Sequence, residues 1–270
     1  MPSNLRITLV QQPLAWEDPE SNLKHFTRVL SDIKRGSTDV IVLPEMFTTG
    51  FTMNAMHLAE EEGGPTMLWM AEIASSKKAS VCGSVMIREK KNIYNRFIWM
   101  APDLTYSIYN KRHLFRMAKE HEYFSAGNES VLVEHKGWSI CPQVCYDLRF
   151  PVWSRNRLRK INDKQVAPEY EVLIYVANWP KVRSYAWNQL LIARAIENQC
   201  YVVGVNRTGK DGMGIEYIGE SAIYNPLGEK ISSMKPGKPG IKTVSLNAKF
   251  LLKYRQDFPV LMDGDNFIVK

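Results

Sequence analysis

Three residues at the ends of predicted strands carry complementary chemistry: Glu45, Lys111 and Cys145. Cys145 follows the apolar stretch 138–144 and precedes a predicted turn. A thiol on such a bend is exposed, and the next amide N–H, from Tyr146, is free to hold an oxyanion. A nucleophilic thiol needs a base. The histidines, His25, His57, His113, His121 and His135, show no spacing that marks a catalytic partner or a metal site. A carboxylate serves when burial raises its proton affinity. Glu45 directly follows the apolar run 40–43 and Pro44. Lys111 ends the alternating stretch 105–110 and would place a fixed cation beside developing negative charge. Each has a plain structural alternative: a core thiol, a capping glutamate, a solvated edge lysine.

These positions depend on the elements before them. Leu5, Ile7 and Leu9 alternate with Arg6 and Thr8, the period of a strand. Asp18-Pro19 opens a helix whose apolar stripe is Leu23, Phe26, Leu30 and Ile33, and Gly36 closes it. Residues 40–43 read as a strand buried on both faces. The pattern predicts a helix over 64–78 and strands over 79–86, 93–109 (turning near Pro102-Asp103), 130–135, 138–144 and 171–177. A helix over 183–199 has two apolar stripes, one with Trp187 and Leu191, the other with Ile192 and Ile196. Strands over 200–205, 216–224, 228–233 and 240–246 complete the chain. No repeat or linker interrupts the alternation, so residues 1–270 read as one α/β domain.

Composition excludes fibrous and disordered classes: 45% of residues are hydrophobic and 23% charged. The net charge is 35 − 28 = +7, but the basic residues are dispersed. The densest stretch, 155–160, reads as a solvated face rather than a nucleic-acid surface. No apolar run reaches the ~20 residues that span a bilayer. The N-terminus lacks a secretory pattern, so Cys82, Cys141, Cys145 and Cys200 are expected as free thiols in the reducing cytoplasm.

The motifs then take on a family character. Leu43-Pro44-Glu45-Met46-Phe47, Asn110-Lys111-Arg112-His113-Leu114-Phe115 and Val144-Cys145-Tyr146-Asp147-Leu148-Arg149-Phe150-Pro151 resemble the glutamate, lysine and cysteine motifs of the nitrilase (carbon–nitrogen hydrolase) superfamily. Ala177-Asn178-Trp179-Pro180, Ala193-Arg194-Ala195-Ile196-Glu197-Asn198-Gln199 and Gly219-Glu220-Ser221 follow in family order. The resemblance covers residues 4 to about 246. The extended lysine and cysteine motifs are similar to the bacterial ω-amidase branch, which hydrolyses the terminal amide of α-ketoglutaramate and α-ketosuccinamate.

The resemblance implies a four-layer α-β-β-α sandwich that pairs into a homodimer. It implies Cys145 as nucleophile, Glu45 as general base and acid, and Lys111 as oxyanion stabiliser. It also implies a second glutamate past the lysine motif, there to position water. Glu120 and Glu122 compete, and Glu120 has the family spacing to Gly127. The substrate of such an enzyme carries an α-carboxylate, which suits a bidentate arginine. Arg149, Arg116 and Arg183 lie near the motifs, with Phe47 and Trp179 as pocket walls. For Arg149 the structural alternative is an ion pair with Asp147.

Other signals are set aside. Residues 209–214 are glycine-rich but lack phosphate-loop spacing. No metal and no organic cofactor is expected. The rival readings are a nitrile or N-carbamoyl hydrolase of the same superfamily, and an inactive basic binding protein on the same fold. A reactive, low-pKa Cys145 would favour catalysis, and an inert one the binding protein.

Overall fold

The computed structural model describes residues 2–162, 165–265 and 267–269. The apolar runs form two sheets that pack face to face. The first has the order Gly240–Leu246, Leu5–Gln11, Val40–Val42, Ser80–Glu89, Asn92–Met100, Tyr106–Asn110, with Glu60–Glu61 also paired to Ser80–Glu89. The second has the order Lys230–Ser233, Ala222–Tyr224, Tyr201–Asn206, Val172–Ala177, Trp138–Val144, Val133–His135. Leu9, Val42 and Phe97 of the first sheet share a core cluster with Val144, Val176 and Val205 of the second.

Helices cover the two outer faces. Phe26 and Leu30 of Pro19–Ser31 and Met67 and Met70 of Pro65–Lys77 pack on Ile41 and Val81. Trp187, Leu191 and Ala195 of Ser184–Glu197 pack on Leu173, Tyr175 and Val202. The layers are therefore helix, sheet, sheet, helix, as the family resemblance implies. Asp18 caps the first helix through the Ser21 N–H at 3.0 Å, with Pro19 at its first position.

The middle of each sheet is parallel. Leu5–Gln11, Val40–Val42 and Ser80–Glu89 run together, as do Trp138–Val144, Val172–Ala177 and Tyr201–Asn206. Parallel neighbours end on the same edge, and that edge is where Glu45, Cys145 and Asn178 emerge.

Three features depart from the sequence expectation. The strand expected over 216–224 is two strands in two sheets. Gly219 (φ +73°) and Glu220 (φ +57°) turn the chain between them. Glu216–Ile218 then pairs with Thr208–Lys210 in a separate hairpin. A second hairpin, Leu158–Asn162 with Gln165–Pro168, and a helix, Ala248–Asp257, were not foreseen. No helix among the described residues is long and apolar enough to cross a membrane.

Candidate active site

Glu45 and Asn178 join the two sheets. The Asn178 N–H donates to Glu45 Oε2 at 2.8 Å, and its Nδ2 donates to the Glu45 carbonyl at 2.6 Å. Met46, at φ +41°, bends the chain there, and its N–H donates to Ser84 Oγ. The carboxylate of Glu45 is thus buried with three donors, since Lys111 Nζ (2.9 Å) and Asn95 Nδ2 (2.8 Å) both reach Oε1.

Lys111 is sealed between two carboxylates. Its Nζ donates to Glu45 Oε1 and, at 2.9 and 3.0 Å, to both oxygens of Glu120. Glu120 also accepts the Phe115 N–H at 2.6 Å. Gly127 lies flat against the lysine strand end, donating to the Lys111 carbonyl at 2.9 Å. A Cβ at Gly127 would sit 2.1 Å from the Asn110 carbonyl oxygen, so only glycine fits. Burial alone would lower the Lys111 pKa, but the charges of Glu120 and Glu45 outweigh it and raise the value, so the ammonium persists. Glu120 is shifted upward, chiefly by burial, with Lys111 opposing.

Cys145 opens the turn Cys145–Arg149 at φ +45°, a conformation uncommon for a side-chain-bearing residue and frequent at functional sites. Its Sγ lies 4.0 Å from the Asn178 carbonyl. Burial pushes the thiol pKa well above its ordinary value. The charge of Glu45 and a hydrogen bond with it add to the shift, while Lys111 opposes. Cys145 is partly accessible, whereas Cys82, Cys141 and Cys200 are buried, and all are free thiols.

A cavity of about 550 Å³ opens from this cluster, and Cys145, Lys111 and Asn178 line it. Its walls include Phe51, Phe115, Tyr146, Trp179 and Tyr217. Trp179 and Arg149 are both present, with the guanidinium 5.0 Å above the indole ring. Arg183 also lines the cavity. Its guanidinium lies 5.6 Å from the Phe115 ring centre and donates to Met117 Sδ. Among the described residues, neither arginine pairs with a carboxylate. Asp147 instead accepts from Tyr109, His113 and Val144, so the ion pair considered for Arg149 is not formed.

Two expected pocket residues lie elsewhere. Phe47 is fully buried against Phe26 and Trp69 on the helix side of the sheet, and Phe51 takes the wall position. Arg116 is exposed on a neighbouring depression with Arg112, His113 and His121. The turn Arg116–Ala118 sends Met117, not Arg116, towards the reactive cavity. Glu122 is half exposed, 4.0 Å from Lys119, while Glu120 is the buried one. Sequence reasoning missed Asn95, whose strand position carries no chemical signature. It also missed the hairpin 208–218, which brings Asp211, Met213 and Tyr217 over the cavity. Its signal, Asp211-Gly212 between short strands, was visible. Among the described residues, no cluster of three or more His, Cys, Asp or Glu could hold a metal ion.

A four-layer sandwich whose two sheets meet at one buried Cys–Glu–Lys cluster is the architecture of hydrolases that act on carbon–nitrogen bonds. The chain belongs to the carbon-nitrogen hydrolase family, which it matches over residues 6–256. It is 48% identical to the omega-amidase YafV of Escherichia coli K12 over 97% of this chain and 98% of that protein. It is 33% identical to the 2-oxoglutaramate amidase of Bacillus subtilis, covering 95% and 96%. A CN-hydrolase superfamily protein of Xanthomonas campestris, crystallised with an arsenic adduct in its active site, superposes with a TM-score of 0.95. It shares 42% identity and covers 99% of this chain and 100% of its own.

Proposed function

We propose that this chain is an ω-amidase that hydrolyses the terminal amide of a small α-keto acid, α-ketoglutaramate or α-ketosuccinamate, to the dicarboxylic keto acid and ammonia. The observation that carries the reading is one cavity lined by Cys145, by Lys111 (ion-paired behind it with buried Glu45) and by two arginines without carboxylate partners. The first suits an amide carbon, the second the distant α-carboxylate. The relatives named for ω-amidase and 2-oxoglutaramate amidase activity support it.

In this mechanism Glu45 takes the Cys145 proton as the thiol attacks the amide carbon. Negative charge on the amide oxygen is held by Lys111 Nζ and the Tyr146 N–H. The protonated Glu45 gives its proton to the departing nitrogen, ammonia leaves and a thioester remains. Water then loses a proton to Glu45 and attacks the thioester. The carboxylic acid is released, and the proton returns to the sulfur. One oxyanion donor contributes about 3 kcal/mol at comparable sites. Glu120, expected to position water, has its oxygens engaged by Lys111 and the Phe115 N–H, which supports a role in holding the lysine.

The reading extends to the whole chain as one catalytic domain working as a homodimer in the reducing cytoplasm, where four free thiols persist. Val182 and Tyr185, 84% and 79% exposed, and Ile196 and Leu227, 48% and 42% exposed, are apolar side chains on the outer side that suit contact with a second copy.

The test is ammonia release from α-ketoglutaramate by the wild type and by Cys145→Ala. Release by the wild type and none by the variant is expected. No release by the wild type removes the ω-amidase reading and directs attention to nitriles and N-carbamoyl compounds. Release that survives in the variant removes Cys145 as nucleophile.

A further inference from the structure

We infer that Asp147 is a positioning residue that fixes the distance between the nucleophile and the oxyanion cation from behind the site. The inference rests on the roles proposed above for Cys145 and Lys111. Asp147 is fully buried, two residues after Cys145, and does not line the cavity. Its two oxygens have four polar partners on three residues. Oδ2 accepts the Val144 N–H at 3.0 Å and the Tyr109 hydroxyl at 2.8 Å. Oδ1 accepts from the His113 N–H at 2.9 Å and contacts His113 Nδ1 at 2.8 Å.

The sequence positions of these partners give the arrangement its meaning. Val144 immediately precedes the nucleophile. Tyr109 and His113 flank Lys111 by two residues on either side. One carboxylate therefore ties the turn that carries the thiol to the strand end that carries the ammonium. The tie is doubled at its edges. The His113 ring stacks on Phe150 at 3.8 Å and 6°, and Trp153 Nε1 donates to the Tyr109 hydroxyl at 2.9 Å. Phe150 follows directly on the cysteine turn, and Trp153 three residues later.

Only an acceptor at both ends satisfies this set. An ionised carboxylate offers two acceptor oxygens, whereas an amide offers one and would turn an NH2 towards donors. The left-handed backbone of Cys145 also needs outside contacts to persist, and the Val144 N–H bond to Asp147 is one of them.

The experiment compares wild type with Asp147→Asn and Tyr109→Phe in kcat, KM, thermal midpoint and the rate of Cys145 alkylation by iodoacetamide at one alkaline pH. The alkylation readout needs no substrate, so it stands if the ω-amidase reading fails. Displacing reacting groups by ~1 Å costs about 10²-fold in rate. Asp147→Asn should lower kcat by about that factor with KM nearly unchanged, and should change the alkylation rate in the folded protein. Tyr109→Phe removes one donor and should give a smaller fall in kcat of the same kind, which keeps the test open if the first variant does not fold. A lower thermal midpoint with kcat and alkylation both unchanged would overturn the inference. So would a loss confined to KM.

Discussion

Burial, and after it the charge of Glu45, push the Cys145 thiol pKa well above its ordinary value, with Lys111 opposing. In the proposed mechanism the thiolate forms as Glu45 takes the proton. The sequence framed catalysis as a low-pKa thiol, and the structure raises the value instead, chiefly because the thiol is buried, with the charge of Glu45 adding to it. Glu45, Lys111 and Cys145 were legible because residue type and strand-end position agree. Glu120 was legible only through its spacing to Gly127. Phe47 was misplaced and Phe51 passed over, since an apolar pattern reports burial but not which face of the sheet receives the ring. Arg149 and Arg183 stay close to aromatic rings without an anion. Arg183 also stands at the N-terminus of Ser184–Glu197, where the helix dipole adds positive potential. Replacing either with alanine should raise KM for an α-keto acid amide by about 10- to 100-fold, with kcat changed less, as expected for a lost charge-assisted contact. Steady-state kinetics with α-ketoglutaramate check this. An equal KM would remove that arginine from carboxylate recognition.

Elements were legible wherever period and length agreed, as in Pro65–Lys77 and Ser184–Glu197. They failed where short strands belong to different sheets, because pairing partners are distant in sequence. Asp39 shows how such distant elements are fastened. It is nearly buried and accepts from the Arg6 N–H and guanidinium at 2.8–3.0 Å, and from Lys136 of the second sheet's first turn. Burial would raise its pKa, but Arg6 and Lys136 outweigh burial and hold the carboxyl well below the usual range. A group depressed on folding stabilises above its unfolded pKa of ~3.9 and loses that contribution as pH falls towards the folded value. Asp39→Asn should therefore lower stability by about 2 kcal/mol at neutral pH, the scale of a hydrogen bond to a charged group. The gap to wild type should narrow steadily below about pH 4. Denaturation followed across that range tests it, and a gap independent of pH would exclude the ion pairs as its source.

At the scale of the molecule, the proposed homodimer would use the outer helix, Ser184–Glu197. Its inner stripe, Trp187, Leu191 and Ala195, is spent on the second sheet, while Tyr185 and Ile196 remain outside. The stripes with Trp187 and Leu191 and with Ile192 and Ile196 were visible in the sequence; that Ile192 packs partly against the core while Ile196 stays exposed was not. Tyr185→Glu, adding a charge to that face, should shift the protein to monomers in sedimentation while leaving the fold intact. An unchanged dimer would place the interface elsewhere, and a monomeric wild type would remove the dimer altogether. The pair of hydrogen bonds from Asn178 to Glu45 has a different reach, for it joins residues 133 apart. Glu45, Lys111 and Glu120 all precede the irregular stretch 124–132, and Cys145 and Asn178 both follow it. A chain severed in that stretch yields two fragments, neither of which holds all the residues of the proposed mechanism. Hydrolysis would then require their reunion, and released ammonia would signal that the two had met.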